Sequence, residues 1–431
     1  MDSRSRVLKA CGLVQPDRVP IDFGGSTVTG IHVSCVAALR AYYGLDGGPV
    51  KVIDPGQMLG EVGEDLKEVM GIDVEGIMRR TSRYGFPLDD WKSWRMYDGL
   101  EILVPGGFNP QLDENGDTLL YPQGDLTVQP SARMPKGGYF FDALIRQGPI
   151  DEENLDPRDN LEEFQPISEP ELAHLDSESK RARGTGRAVM AGFGGTSFGD
   201  IAHVPGVGLR NPKGIRDVTE WYISIRTRPD YVHKVFAGQC EVALKNLETI
   251  AGRVGDNIDV VNVCGTDFGT QSSSFCSVET FRELWAPYYK RINDWIHQNT
   301  RWKTFKHSCG AVAKFIDSFI ECGFDILNPV QCSAAGMEPE QLKSAFGGRI
   351  AFWGGGVDTQ QVLPFGTPAQ VREQVLRRCE VFARGGGYVF TSVHNIQAGT
   401  PVENIAAMIN AVREFNGDKR RDCPADPVSR A

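Results

Sequence analysis

Eight short β-prone runs recur along this chain with helix-compatible stretches between them, and that alternation constrains the fold more than any other feature. The runs are Val19 to Phe23, Asp73 to Met78, Ala188 to Gly192, Ile258 to Val263, Thr304 to His307, Asp325 to Pro329, Ile350 to Trp353 and Tyr388 to Ser392. Strand and helix in alternation are the sequence form of βαβ units and a parallel sheet. Eight such strands predict an α/β fold in which the sheet closes into a (β/α)8 TIM-type barrel. The 431 residues could hold roughly two or three average domains, but barrels commonly use about 250 residues or more as one unit. One barrel domain over 1–415 is therefore expected, followed by a flexible tail over 416–431.

Two helix starts are marked near the C-terminus. Thr367-Pro368-Ala369-Gln370 and Thr400-Pro401-Val402-Glu403 both have the form of a capping box with proline at the first helical position. Val371, Val375, Cys379 and Phe382 then share one face, as do Ile405, Met408, Ile409, Val412 and Phe415. Between the second and third strands lies a long interruption, about 84–187, rich in Gly, Pro and Asp. It contains the hairpin-like Leu112-Asp113-Glu114-Asn115-Gly116-Asp117 and ends in an acidic stretch, 151–187, that reads as a solvated linker. The interruption is expected to fold over the barrel mouth.

Composition narrows the function classes. Hydrophobic residues make up 41% and charged residues 24%, enough for a large core and without a signature of disorder. A formal charge of −10 argues against nucleic acid or an anionic membrane surface as partner, because those need clustered Lys and Arg. No run has the length of a signal peptide or a membrane span, so a cytoplasmic protein is expected. The ten cysteines include no CxxC pair and are expected to be reduced, mostly buried thiols.

Barrels of this kind place their chemistry just after the strands, at the C-terminal ends. After the fifth run, Lys306-His307-Ser308-Cys309-Gly310 offers an imidazole and a thiol on one turn; after the eighth, His394 offers a second imidazole. His307, Cys309 and His394 with an open fourth position would suit a catalytic zinc. The alternative is a pair of hydrogen-bonded histidines beside a small buried thiol. Asp267, after the fourth run, is a candidate to orient a ligand, act as acid or base, or bind substrate. It would otherwise cap a turn. Asp22, beside Gly24-Gly25, together with Gln331 and Asp358 complete the candidate catalytic set, while Asn328 is a further possible lining amide. No P-loop, GxSxG or HExxH motif is present.

Three segments, Phe305 to Gly310, Gly323 to Gln331 and Gly366 to Val371, set within Ser277 to Phe415, resemble the uroporphyrinogen decarboxylase superfamily. That superfamily also holds zinc-dependent, corrinoid-linked methyltransferases of the methylcobamide:coenzyme M type. The methyltransferase branch uses a His-x-Cys pair after a barrel strand, matched by His307 and Cys309, and a third ligand near the last strand. This third ligand is typically Cys in that branch, and His394 stands at the equivalent place. The resemblance implies zinc, a small-molecule methyl donor or acceptor, and a corrinoid supplied by a partner protein, since no Asp-x-His-x-x-Gly corrinoid motif occurs here. Self-association as a homodimer is left open. The decarboxylase branch of tetrapyrrole biosynthesis implies a metal-free reaction around Asp267, but the loop Asp22 to Thr29 lacks the arginines that branch uses for carboxylates. A third reading is a barrel that has lost the ancestral activity.

Overall fold

The computed structural model describes residues 1–193 and 195–418. Seven parallel strands form one curled sheet in which every strand neighbours the next in sequence: β1 (Val74–Ile77), β2 (Ala188–Gly192), β3 (Val260–Cys264), β4 (Lys303–His307), β5 (Ile326–Asn328), β6 (Ala351–Trp353) and β7 (Tyr388–Val389). Helices follow the strands, among them Pro229–Val254, Ala286–Asn299, Pro339–Phe346, Pro368–Phe382 and Val402–Phe415. This is the expected α/β barrel.

The first run, Val19 to Phe23, is not a strand. It supplies a single bridge, Ile21 to Phe390, and it bonds to both sheet edges: Asp22 N–H to the Phe390 carbonyl, Phe390 N–H to the Pro20 carbonyl, and Asp73 N–H to the Ile21 carbonyl. The segment therefore closes the ring between β7 and β1 without a ladder. Pro20 has no N–H to give, and the Asp22 carboxylate takes the Gly25 N–H at 2.9 Å, turning the chain as soon as the bridge is made.

Alternate strand residues point to two different cores. Val74, Met190, Val260, Phe305, Ile326, Trp353 and Val389 pack inside the ring with Val7, Ala10 and Cys11 of the first helix, Ser3–Cys11. That helix plugs the N-terminal end, where Arg6 meets Asp73 at 2.6 Å and Arg4 meets Asp259 at 2.8 Å. The other core, larger, lies between strands and helices.

Between β1 and β2 the chain makes an antiparallel pair, Lys92–Arg95 with Glu101–Val104, and a four-stranded antiparallel sheet. The expected hairpin is there, with Gln111–Leu112 paired to Thr118–Leu120 around Gly116. The acidic stretch is not a linker: Glu169–Gly184 is a helix capped by Ser168, and its Leu172, Leu175, Ser179 and Ala182 are buried. Thr367 and Gln370 form the expected capping box. Thr400 does not, because its hydroxyl donates to the Gln397 carbonyl and the last helix starts at Val402 without a side-chain cap. Phe415, expected on that helix's inner face, is exposed. Asn416 and Asp418 bond Val19 and Arg18; the rest of the expected tail, 419–431, lies outside the described residues. Among the described residues no helix is long and apolar enough to cross a membrane, and all nine described cysteines are unpaired.

Candidate metal centre

The turn that leaves β4 has every backbone N–H occupied. Ser308 N–H donates to the Asn328 carbonyl, Cys309 N–H to Asp267 Oδ1 at 2.6 Å, Gly310 N–H to Gln331 Oε1 at 2.8 Å, and Ala311 N–H to the Thr270 carbonyl. Ser308 Oγ in turn accepts from Phe268 N–H. The loops after β3, β4 and β5 are thereby bound into one layer at the barrel mouth. Gly310 has φ +85°, and a Cβ there would lie 2.4 Å from the Gly269 backbone, so the close approach of the two loops requires glycine.

The pairing of β4 with β5 sets His307 directly beside Asn328. Asn328 donates its amide to the Trp353 carbonyl at 2.8 Å, which leaves Oδ1 to accept from His307 Nδ1 at 2.5 Å. Nδ1 therefore carries the proton, and Nε2 presents its lone pair to the Cys309 thiol. Nε2 faces Cys309 Sγ at 3.3 Å and lies 3.7 Å from Asp267 Oδ1. The His394 ring stands edge-on to His307, centroids 5.3 Å apart, and no described residue hydrogen-bonds it. The asparagine loop that carries it is tied down by Asn395, which bonds Gly30, Thr27 and Gln57.

Burial holds His307 down to about 4, with Lys306 acting in the same direction and the Asn328 bond against it. Burial and the adjacent His307 hold His394 down to about 4. Both rings are neutral at pH 7, the state in which imidazole binds metal. Burial, and then the Asp267 carboxylate, push the Cys309 thiol well up. Burial also raises Asp267, partly offset by the bond from Cys309 N–H. Beneath the turn, Lys306 is fully buried, donates to the Thr266 and His307 carbonyls at 2.7 Å, and lies over the Phe268, Tyr289 and Phe319 rings.

The donor atoms of His307, Cys309 and His394 all lie within 4.8 Å of one another. Zinc bonds of roughly 2.0–2.3 Å put tetrahedral ligands roughly 3.3–3.8 Å apart, so the set needs to close by about 1 Å. The donor types, the neutral rings and the unprotonated Nε2 fit that ion.

His307, His394 and Asp267 border a cavity of about 450 Å³ at the mouth. The other four candidates, Cys309 among them, stand outside its lining. Asp22 is fully buried, accepts from Trp353 Nε1 at 2.8 Å and from Gly25 N–H, and is pushed up to about 6 by burial. Gln331 holds the Gly310 N–H and gives its amide to Gln271 at 2.9 Å. Asp358 caps a turn by accepting from Gln360 and Gln361 N–H. A larger groove, about 630 Å³, runs along Val362, Phe365 and Arg377 on the outer helices, and none of the cluster residues borders it.

Sequence reasoning missed Arg79 and Arg83 after β1, and Thr196, Asp200 and His203 after β2, all of which border the cavity. Their one sequence signal is position, just beyond the C-terminal ends of β1 and β2.

Residues 207–415 match the family model described as Uroporphyrinogen decarboxylase (URO-D). A methyltransferase from Methanosarcina mazei has a similar structure, at 15% identity and TM-score 0.54, over 96% of this chain and 99% of that one. At that identity the likeness is one of fold. A GH113 β-1,4-mannanase also matches, at 10% identity and TM-score 0.27 over 57% of this chain and 79% of that one, too weakly to carry an argument. No curated protein matches the chain. The mouth cluster of His307, Cys309, Asn328 and His394 lies within the matched residues, so the part of the chain that carries the site is the part that resembles the uroporphyrinogen decarboxylase family.

Proposed function

We propose that this chain is a zinc-assisted methyltransferase that moves a methyl group between a small molecule and a corrinoid carried by a separate protein, in the cytoplasm. The observation that carries the reading is the convergence of His307, Cys309 and His394, three donors of types zinc favours, beside an open cavity. The fold shared with the Methanosarcina mazei methyltransferase supports it. His307 Nε2, Cys309 Sγ and His394 would hold the ion, which lowers the pKa of a bound thiol enough to give thiolate at neutral pH.

The chain's own residues do the rest. Asn328 keeps Nε2 unprotonated and aimed, and Gln331 and Gly310 hold Cys309 on its turn. Asp267, at the cavity edge beside the cluster, is placed to take the proton that an incoming thiol gives up. In the direction of thiol methylation the S–CH3 bond forms as the Co–CH3 bond breaks, and the electron pair of the broken bond stays on cobalt. Anaerobic mixing of the protein with methylcobalamin and a thiol tests this by following the corrinoid spectrum. Demethylation that stops on chelation and returns with zinc is expected; demethylation unaffected by zinc removal contradicts the reading.

Arg79 and Arg83 on the cavity wall favour a second reading, metal-free decarboxylation of a polycarboxylate with Asp267 near the reacting carbon. Carbon dioxide release from uroporphyrinogen by metal-free protein would establish that reading instead.

A further inference from the structure

Two buried polar atoms on adjacent residues, Ser82 Oγ and Arg83 Nε, have no hydrogen-bond partner among the described residues. A guanidinium N–H left unpaired in a protein interior is costly, and native structures seldom leave one so unless something else meets it. Both residues sit where two chambers join: the 450 Å³ cavity that His307 and His394 border, and a side chamber of about 330 Å³ walled by Phe164, Ile167, Leu175 and Ile250. Arg79, Thr81, Ser82, Arg83 and His203 line both.

The turn that carries them is built, not loose. Ser82 N–H bonds the Phe86 carbonyl, Gly85 N–H the Ser82 carbonyl, and Thr81 bridges Pro87. Glu171 anchors the preceding residues, accepting from Arg80 N–H at 3.0 Å. The carboxylates around the junction already have partners. Glu163 pairs with Arg216 at 2.8 Å, Asp54 accepts from Gly56 and Gln57, Asp200 accepts from Ala202 N–H, and Glu171 lies 3.9 Å from Arg79. Arg83 reaches only the Ala202 carbonyl, and no described carboxylate comes within 4.0 Å of it. Its fork is a cation without an anion, next to an unused hydroxyl.

We propose that the Ser82–Arg83 turn, with Arg79 beside it, anchors an oxyanion group of the small molecule whose other end meets the His307, Cys309 and His394 cluster. Carboxylate, sulfonate and phosphate share the chemistry that matches a guanidinium fork. Direct methyl transfer needs donor and acceptor on opposite sides of the moving carbon, and two joined chambers provide two directions of approach. The inference deepens the methyl-transfer reading and rests on it for what the anchored molecule does, not for whether it binds.

The test titrates the full-length protein with propionate, 1-propanesulfonate, propyl phosphate and neutral 1-propanol at constant ionic strength, by ligand-observed NMR, in wild type, Arg83→Gln, Arg83→Lys, Ser82→Ala and Cys309→Ala. At least one anion should bind saturably while propanol does not, and the strongest of the three identifies the head group. Arg83→Gln should weaken it about tenfold or more, Arg83→Lys less, and Cys309→Ala within about twofold of wild type. Should Arg83→Gln not fold, Ser82→Ala carries the test with a smaller loss of the same sign. Equal affinity in these Arg83 and Ser82 variants, binding of propanol as tight as that of the anions, or no anion binding overturns the subsite. Anion binding by a wild-type protein that takes up no zinc after zinc loading overturns the methyl-transfer reading and leaves the subsite standing.

Discussion

Asn328 decides which nitrogen of His307 is available. Its amide is committed to the Trp353 carbonyl, so its oxygen can only accept, and the ring is fixed with Nε2 towards Cys309. Outer partners of this kind typically change metal affinity by about 10–100-fold when removed. Asn328→Ala should therefore weaken zinc by that factor in competition with a chromophoric chelator, while affinity equal to wild type would show that Asn328 does not orient the ligand. Asp22 belongs to stability. Its native form holds a proton up to about pH 6, whereas an unfolded carboxyl has the ordinary value of 3.8. Between these values the folded state binds more protons, so stability falls as pH rises through the window and levels off above it. The fall is on the order of 3 kcal/mol. Urea titrations from pH 4 to pH 7 should show this slope for wild type and not for Asp22→Asn; equal slopes would contradict the assignment. From the sequence, His307, Cys309, His394 and Asp267 could be found because each follows a recognisable run. That Asp22, Gln331 and Asp358 hold loops instead of facing the cavity could not, since a carboxylate's or amide's partners are set by loops distant in sequence.

The element that matters most is the turn from His307 to Ala311, held by bonds from the loops after β3 and β5. Gly310→Ala adds a Cβ against the Gly269 backbone at a positive φ, two faults at one position. It should cost about 1–3 kcal/mol or more and lower zinc content together, read by melting temperature and elemental analysis on one sample. A variant with normal stability and full zinc would mean that the turn does not position Cys309. Element boundaries were legible where local signals were strong, as at the Thr367 capping box. The helix Glu169–Gly184 was hidden because its few apolar positions, Leu172, Leu175 and Ala182, are spread among many carboxylates. The Val19 to Phe23 run looks like a strand in composition, but Pro20 and the Asp22–Gly25 turn reduce it to one bridge.

Across the whole molecule the two ends of the barrel are divided in task. The N-terminal end is closed by the first helix and the Arg6–Asp73 and Arg4–Asp259 pairs, and the mouth carries the cluster and the chambers. Arg6→Ala leaves the fully buried Asp73 short of its closest cation and should cost about 3–5 kcal/mol, with zinc stoichiometry unchanged. Loss of zinc in a folded Arg6→Ala protein would show that the ends are coupled. The alternation of runs made the barrel legible from sequence, while Arg79, Arg83, Asp200 and His203 reach the cavity from irregular loops whose course only the closed ring determines. The metal centre is tested most directly by elemental analysis of purified protein after zinc loading, with Cys309→Ala and His394→Ala beside it. About one zinc per chain in wild type, lost in both variants, is the predicted result; a wild type without zinc, or variants that keep it, would contradict the assignment.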